Sequence, residues 1–177
     1  LQTNAVRVTR VHFVFIAAYM VAIVVFDSWN LYTHEAVSDR WTFAGALLVL
    51  NTLLWYTARM KFKNESIYVN LVLLLIAADI IFAAFNVYWE RGLASKSVFL
   101  FALPLITAAT LRSRSTLLAV SALATAAYST AAVRYFYQHY GESYRVELYG
   151  YIVFYSALFF VFSWLLWVVI RPTQEDL

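Results

Sequence analysis

The residue most able to do chemistry in this chain is a carboxylate in the middle of an oily stretch. Asp79 lies in the run Leu75, Ile76, Ala77, Ala78, Asp79, Ile80, where its charged form is costly unless it faces other protein groups, takes up a proton or pairs. Asn86 follows seven residues later and Asn70 precedes by nine, so on a helix Asp79 and Asn86 share a face that Asn70 need not share. Asn51, in an oily stretch further upstream, is a suitable partner for that face, and Tyr128 offers a polar-tipped aromatic. Pro104 removes a backbone donor from another apolar run, so a helix there kinks where a neighbour or a threonine can satisfy the freed carbonyl. Two roles suit Asp79: a proton-responsive, ion-binding or ligand-binding group, or a structural group that joins helices by hydrogen bonds.

Other chemistry is excluded by what the sequence lacks. There is no cysteine, which removes disulfides, thiolate nucleophiles, iron–sulfur ligation and zinc–thiolate sites. His12, His34 and His139 are the whole set of imidazoles; His12 reads as an interfacial residue at a helix start and the others as outer-loop residues, so no facing pair suits a haem. No phosphate-binding glycine loop, dinucleotide fingerprint, His-Glu metal motif or carboxylate cluster occurs, and no nucleophile, base and orienting group assemble on one side of a membrane. Neither catalytic residue, metal nor cofactor is expected. The net charge of +3 comes from 13 basic and 10 acidic residues without a run of like charge, so no nucleic-acid track is expected.

These polar groups must be positioned by membrane helices. Hydrophobic residues make up 63% of the 177 residues and charged residues 13%, with mean hydropathy +0.70, far more apolar surface than a soluble domain of this size can bury. Six apolar stretches recur, at 11–29, 41–58, 67–89, 97–111, 115–136 and 148–170, most of them long enough for a hydrocarbon layer about 30 Å thick. The third, about 23 residues long, crosses with some tilt; the fourth is short. Arg112 and Arg114 mark a tight return before the fifth, and an eleven-residue loop from Tyr137 to Glu147 precedes the sixth. The chain opens on Leu1 without a cleavable signal pattern, and removal of a tag or an upstream segment is expected.

Lysine and arginine decide the orientation. With the N-terminus inside, Arg7, Arg10, Arg59, Lys61, Lys63, Arg112, Arg114 and Arg171 are cytoplasmic, eight against the five of Arg40, Arg91, Lys96, Arg134 and Arg145. The expected fold is therefore all-α: a polytopic six-transmembrane-helix bundle with both termini cytoplasmic, a single membrane domain over 1–170 and the start of a cytoplasmic linker at 171–177. Trp29, Tyr32, Trp41, Tyr88, Trp89, Tyr135, Tyr137, Tyr144, Tyr149 and Tyr151 gather at the outer ends, where such rings anchor helices in the headgroup layer or line an outward recess. Arg134 snorkels to the outer headgroups. The alanine-, serine- and threonine-rich fifth stretch suits close helix approach and a central position, with Leu117, Leu118 and Leu123 on an opposite ridge.

The arrangement resembles the N-terminal six-helix membrane sensor region of bacterial sensor histidine kinases. The likeness runs from the third helix onward: Asp79, the loop Gly92-Leu93-Ala94-Ser95, the run Leu103-Pro104-Leu105-Ile106, the dibasic return at Arg112 and Arg114, and an alanine-rich fifth helix around Tyr128. It implies a signal-transducing module in the bacterial cytoplasmic membrane, acting as a homodimer and followed in the parent chain by cytoplasmic kinase domains. Membrane lipid and a small hydrophobic ligand are the implied partners, with Asp79, Asn86, Asn51, Tyr128 and Pro104 as ligand-binding or signalling residues. Pro172 departs from a continuous output helix after the sixth crossing. The rival reading is a small transporter, channel or membrane-enzyme subunit using a polar intramembrane site around Asp79.

Overall fold

The computed structural model describes residues 1–31, 33–90, 96–139 and 145–175, with the backbone alone at 145 and 171–175. Among these the regular structure is all-helical: α1 (Gln2–Ser28), α2 (His34–Ala58), α3 (Ser66–Trp89), a 3-10 helix η1 (Lys96–Phe101), α4 (Ala102–Ala109), α5 (Arg114–His139) and α6 (Arg145–Glu175). α1, α2, α3, α5 and α6 are long and apolar enough to cross a membrane, and the run Lys96–Ala109 is shorter.

The helices extend beyond the oily stretches because backbone hydrogen bonding does not stop where hydropathy falls. α1 takes in Arg7 and Arg10, α2 begins at His34, and α5 and α6 run into the segment expected as the loop 137–147, of which 140–144 lie outside the described residues. Local caps set these ends. The Thr33 side chain accepts from Ala36 N at 3.2 Å and Glu35 sits in the first turn of α2, where a negative charge complements the helix dipole. α1 closes with Asn30 at φ 56°, Leu31 N donating to Phe26 O and Asn30 N to Asp27 O, both at 2.9 Å. This is a Schellman ending, and asparagine tolerates its left-handed position better than most residues.

The fourth stretch departs most from a simple helix. The ring of Pro104 would clash with the Leu100 carbonyl in an α-helical backbone, and the run before it is wound as η1, whose i to i+3 bonding avoids that contact. Six 3-10 residues and eight α residues together rise about 24 Å. Thr107 Oγ1 donates to Leu103 O at 2.8 Å, so the threonine expected to help satisfies a carbonyl one turn inside α4. The tight return follows as expected: Arg112 takes φ 52° and Ser113 caps α5, accepting from Thr116 N at 3.3 Å.

The chain divides into two compact units, Leu1–Leu75 and Ile76–Leu177. In the first, α1 packs on α2. Ala5, Val8, Thr9, His12, Ile16 and Ile23 form the buried stripe of α1, and Arg40, Ala44, Leu47, Asn51, Leu54 and Ala58 that of α2. The alternating steps of four and three along α2 keep one face inward. Val8, Leu54 and Leu75 form a buried cluster with Leu50 and Leu71 packed against it.

In the second unit α5 packs on α6, and α4 packs on both. The buried face of α5 carries Leu117, Val120, Ser121, Ala124, Tyr128, Ala131, Ala132 and Phe136. Leu118 and Leu123 are exposed, whereas Leu117, expected on the same ridge, turns inward with the small residues. Of the most apolar windows, 44% of that of α3 and 39% of that of α5 are buried, against 11% of that of α6. Most of the α6 circumference is therefore left for lipid or a partner.

Candidate functional site

Asp79 and Asn86 occupy one face of α3, as their spacing predicts, and each is only 1% exposed. Asn70 is exposed, in keeping with its place off that face. Ile76, Ala83 and Val87 flank the two polar groups on the same buried stripe, so the carboxylate sits on the inward face of α3. The Asn86 amide turns back to donate to Phe82 O at 2.9 Å, which supplies one partner within α3 itself. Both residues belong to the second unit.

Tyr128 has the most defined surroundings of the expected site residues. Its ring meets Phe101 edge-on at 6.3 Å, Tyr155 at 5.2 Å and Phe159 at 6.0 Å between centroids. Such tilted and edge-on contacts match the quadrupoles of the rings. Tyr128 thus touches the last residue of η1 on one side and α6 on the other. It is 1% exposed, yet its hydroxyl is buried without a hydrogen-bond partner among the described residues. Thr125 Oγ1 and Ser156 Oγ are buried in the same condition, one from α5 and one from α6. Seven residues before Tyr128, Ser121 and Ser163 share a hydrogen bond across the two helices, and Ser121 Oγ also donates to Leu117 O at 2.8 Å. The α5–α6 seam is therefore small and hydroxylated, with one large aromatic set into it.

Pro104 is buried at the start of α4. It carries no polar group toward a ligand; its effect is on the backbone, through the change from 3-10 to α winding. Asn51 lies in the first unit, fully buried, and donates to Thr9 O of α1 at 3.0 Å. Its Oδ1 has no hydrogen-bond partner among the described residues. Thr9 in turn donates its hydroxyl to Val6 O at 2.8 Å and Ala5 O at 3.1 Å.

Two buried ionisable residues escaped the sequence reading. His12, expected at an interface, is 1% exposed on the inner stripe of α1, with Nδ1 2.8 Å from Val8 O. A carbonyl only accepts, so this contact assigns the proton to Nδ1. Arg40, expected outside, is 3% exposed on the α2 stripe, and its Nη1 donates to Ala36 O at 3.3 Å. The signal was present in the spacing: His12 stands three and four residues from Thr9 and Val8, and Arg40 stands eleven before Asn51. Hydropathy hides it, because His12 stands at the start of one oily stretch and Arg40 just before another.

The outer-end aromatics divide. Trp29, Trp41, Tyr137, Tyr149 and Tyr151 are exposed, as anchoring rings are, while Tyr88 donates to the Gln138 side chain and packs edge-on against Tyr135 at 6.0 Å. Tyr32, Tyr144 and the loop Gly92-Leu93-Ala94-Ser95 lie outside the described residues. Arg134 is exposed. Among the described residues no group of three or more His, Asp or Glu side chains converges. No family model, curated protein or solved structure matches the chain.

Proposed function

We propose that this chain is a six-crossing sensor and signal-transducing module of a bacterial two-component histidine kinase, with both termini in the cytoplasm. The carrying observation is the output helix. α6 runs unbroken through Arg171 and Pro172 to Glu175, so the proline does not interrupt the path toward downstream domains. Its 31 residues rise about 46 Å, beyond a hydrocarbon layer of about 30 Å. A proline within the last helical turns loses one backbone bond near the end of the ladder, where its effect on the helix is least.

On this reading the stimulus is a small membrane-dissolved ligand or a change in the bilayer, received by polar groups at membrane depth. Asp79 and Asn86 respond on α3, and Asn51 fixes the pairing of α1 and α2. Pro104 gives the short fourth crossing two windings, and Tyr128 couples that crossing to α6 through Phe101, Tyr155 and Phe159. For output to change, the stimulus must bind two packings of the bundle with different free energies. The sparsely covered α6 leaves room for a second copy, as dimeric signalling requires.

The test joins the chain, through Leu177, to a histidine-kinase catalytic core and reconstitutes the fusion in nanodiscs. Asp79→Asn and Tyr128→Phe are expected to shift autophosphorylation about fivefold or more over a series of pH and lipid conditions, the lower end of ordinary allosteric coupling. Unchanged output in folded variants under every condition would overturn the proposal. A second reading, a small transporter or channel, is favoured by the buried carboxylate of Asp79; proton or ion flux into liposomes that is lost in Asp79→Asn would replace sensing with transport.

A further inference from the structure

One end of the first unit gathers cations around an open hollow. Arg7 and Arg10 stand three residues apart on α1, on neighbouring turns of one side. Arg59 immediately follows α2. The Gln2 amide brings these elements together: its Nε2 donates to the carbonyls of Ala58, Arg59 and Met60 at 3.2, 3.4 and 3.3 Å. That contact also reaches the Ala58 carbonyl at the end of α2, which has no acceptor role left in the helix ladder. The Arg59 guanidinium carbon lies 4.8 Å from the centre of the Trp55 ring, a cation–π contact that holds the side chain in position.

Gln2, Thr3, Val6, Arg7, Arg10 and Arg59 line a hollow of about 420 Å³. No carboxylate is among these residues, and none of the three guanidiniums has an ion-pair partner among the described residues. All three are exposed. Like charges around one hollow repel and favour an anion between them, and the planar guanidinium fork matches phosphate oxygens in pairs.

We propose that this hollow binds the phosphate-bearing headgroup of an anionic phospholipid. The apolar surface that begins next to it selects a lipid over a free anion. Val11, Val14 and Val21 on α1 and Val49, Leu53 and Tyr56 on α2 are exposed, and they give acyl chains a path along the same two helices. A phosphate anchored at the arginines would have its hydrocarbon in register with the oily part of α1. Lys61 and Lys63 lie in the following loop but do not line the hollow, which makes them an internal control of equal charge.

The experiment is native mass spectrometry of the whole chain in a neutral detergent, titrated with phosphatidylglycerol and, separately, phosphatidylcholine. Phosphatidylglycerol is expected to remain bound to the parent chain, at least tenfold more tightly than phosphatidylcholine. Arg7→Gln, Arg10→Gln and Arg59→Gln are each expected to weaken it about fivefold, which corresponds to about 1 kcal/mol per cation near an anionic surface. The double variant Lys61→Gln/Lys63→Gln should stay within about twofold of the parent. Equal losses from the lysine and arginine variants would overturn the site in favour of a diffuse basic field. Equal binding of phosphatidylcholine would overturn the charge argument, and displacement of the lipid by inorganic phosphate at similar concentration would show the ligand to be the free anion. Should a glutamine variant fail to fold, Arg10→Lys and Arg59→Lys keep the charge but lose the fork. They are expected to bind more weakly than the parent, and parent-like binding would overturn the guanidinium assignment.

Discussion

Tyr128→Phe is expected to stabilise the protein, against the usual direction for a change in a packed interior. The ring is 1% exposed, and its contacts with Phe101, Tyr155 and Phe159 are ones a phenyl ring can also make, so the aromatic part of the interaction largely cancels in the comparison. The remaining difference is a hydroxyl buried without a hydrogen-bond partner among the described residues, and such a group costs about 1–3 kcal/mol. Deleting it opens a hole of about 10–15 Å³, which at about 24 cal/mol per Å³ opposes the gain by about 0.3 kcal/mol. The net expectation is a gain of about 1 kcal/mol or more. Reversible SDS unfolding in mixed micelles, followed by far-ultraviolet circular dichroism, measures it. Tyr128→Ala serves as the calibration, since losing the ring should remove about 3–5 kcal/mol. A Tyr128→Phe loss of 1 kcal/mol or more, with the alanine variant behaving as stated, would refute the reasoning and mean that the hydroxyl has a partner.

The same unfolding assay checks three further expectations. Asn51→Ala should lose roughly 0.6–1.7 kcal/mol through its bond to Thr9, the range for interhelical hydrogen bonds in membranes, with any excess due to the cavity; no loss would mean that the Asn51–Thr9 bond contributes nothing to the α1–α2 pairing. Ser121→Ala should lose about 0.6 kcal/mol, while Ser121→Leu should lose about 1–3 kcal/mol by forcing α5 from α6; equal stability of the two would contradict a close seam. Asn30→Gly should be neutral within about 0.5 kcal/mol and Asn30→Ala destabilising by about 1–2 kcal/mol, because only the latter meets the steric penalty of the left-handed backbone. Because the chain has no cysteine, Lys63→Cys and Ser115→Cys report topology without a background. Both should react with an impermeant maleimide only from the cytoplasmic side, and labelling from opposite sides would break the orientation proposed above.

Much of this protein is legible in its amino-acid sequence. Hydropathy located five long apolar helices and the short, proline-bearing fourth stretch, because membrane burial depends on runs of side chains that a linear window captures. Helical arithmetic put Asp79 and Asn86 on one face that Asn70 need not share, and Asn70 is exposed. Small residues marked α5 as a close-packing helix, and the dibasic return between α4 and α5 was evident from its composition.

Tertiary structure decided what periodicity within one stretch leaves open. Whether Leu117 or Leu118 turns inward depends on the rotation of α5 against α6, which adjacent leucines do not encode. Hydropathy marks His12 and Arg40 as residues at the edges of oily stretches, yet the buried stripes of α1 and α2 include both and carry them inside. The winding of η1 was foreshadowed by Pro104 as a kink, but its extent depends on how Phe101 seats against Tyr128 and Phe159. The gathering of Arg7, Arg10 and Arg59 rests on a Gln2 side chain reaching carbonyls more than fifty residues away. Hydrophobic pattern is a local property and determines which segments leave water; helix rotation and long-range hydrogen bonds are pairwise properties, fixed only when two surfaces meet.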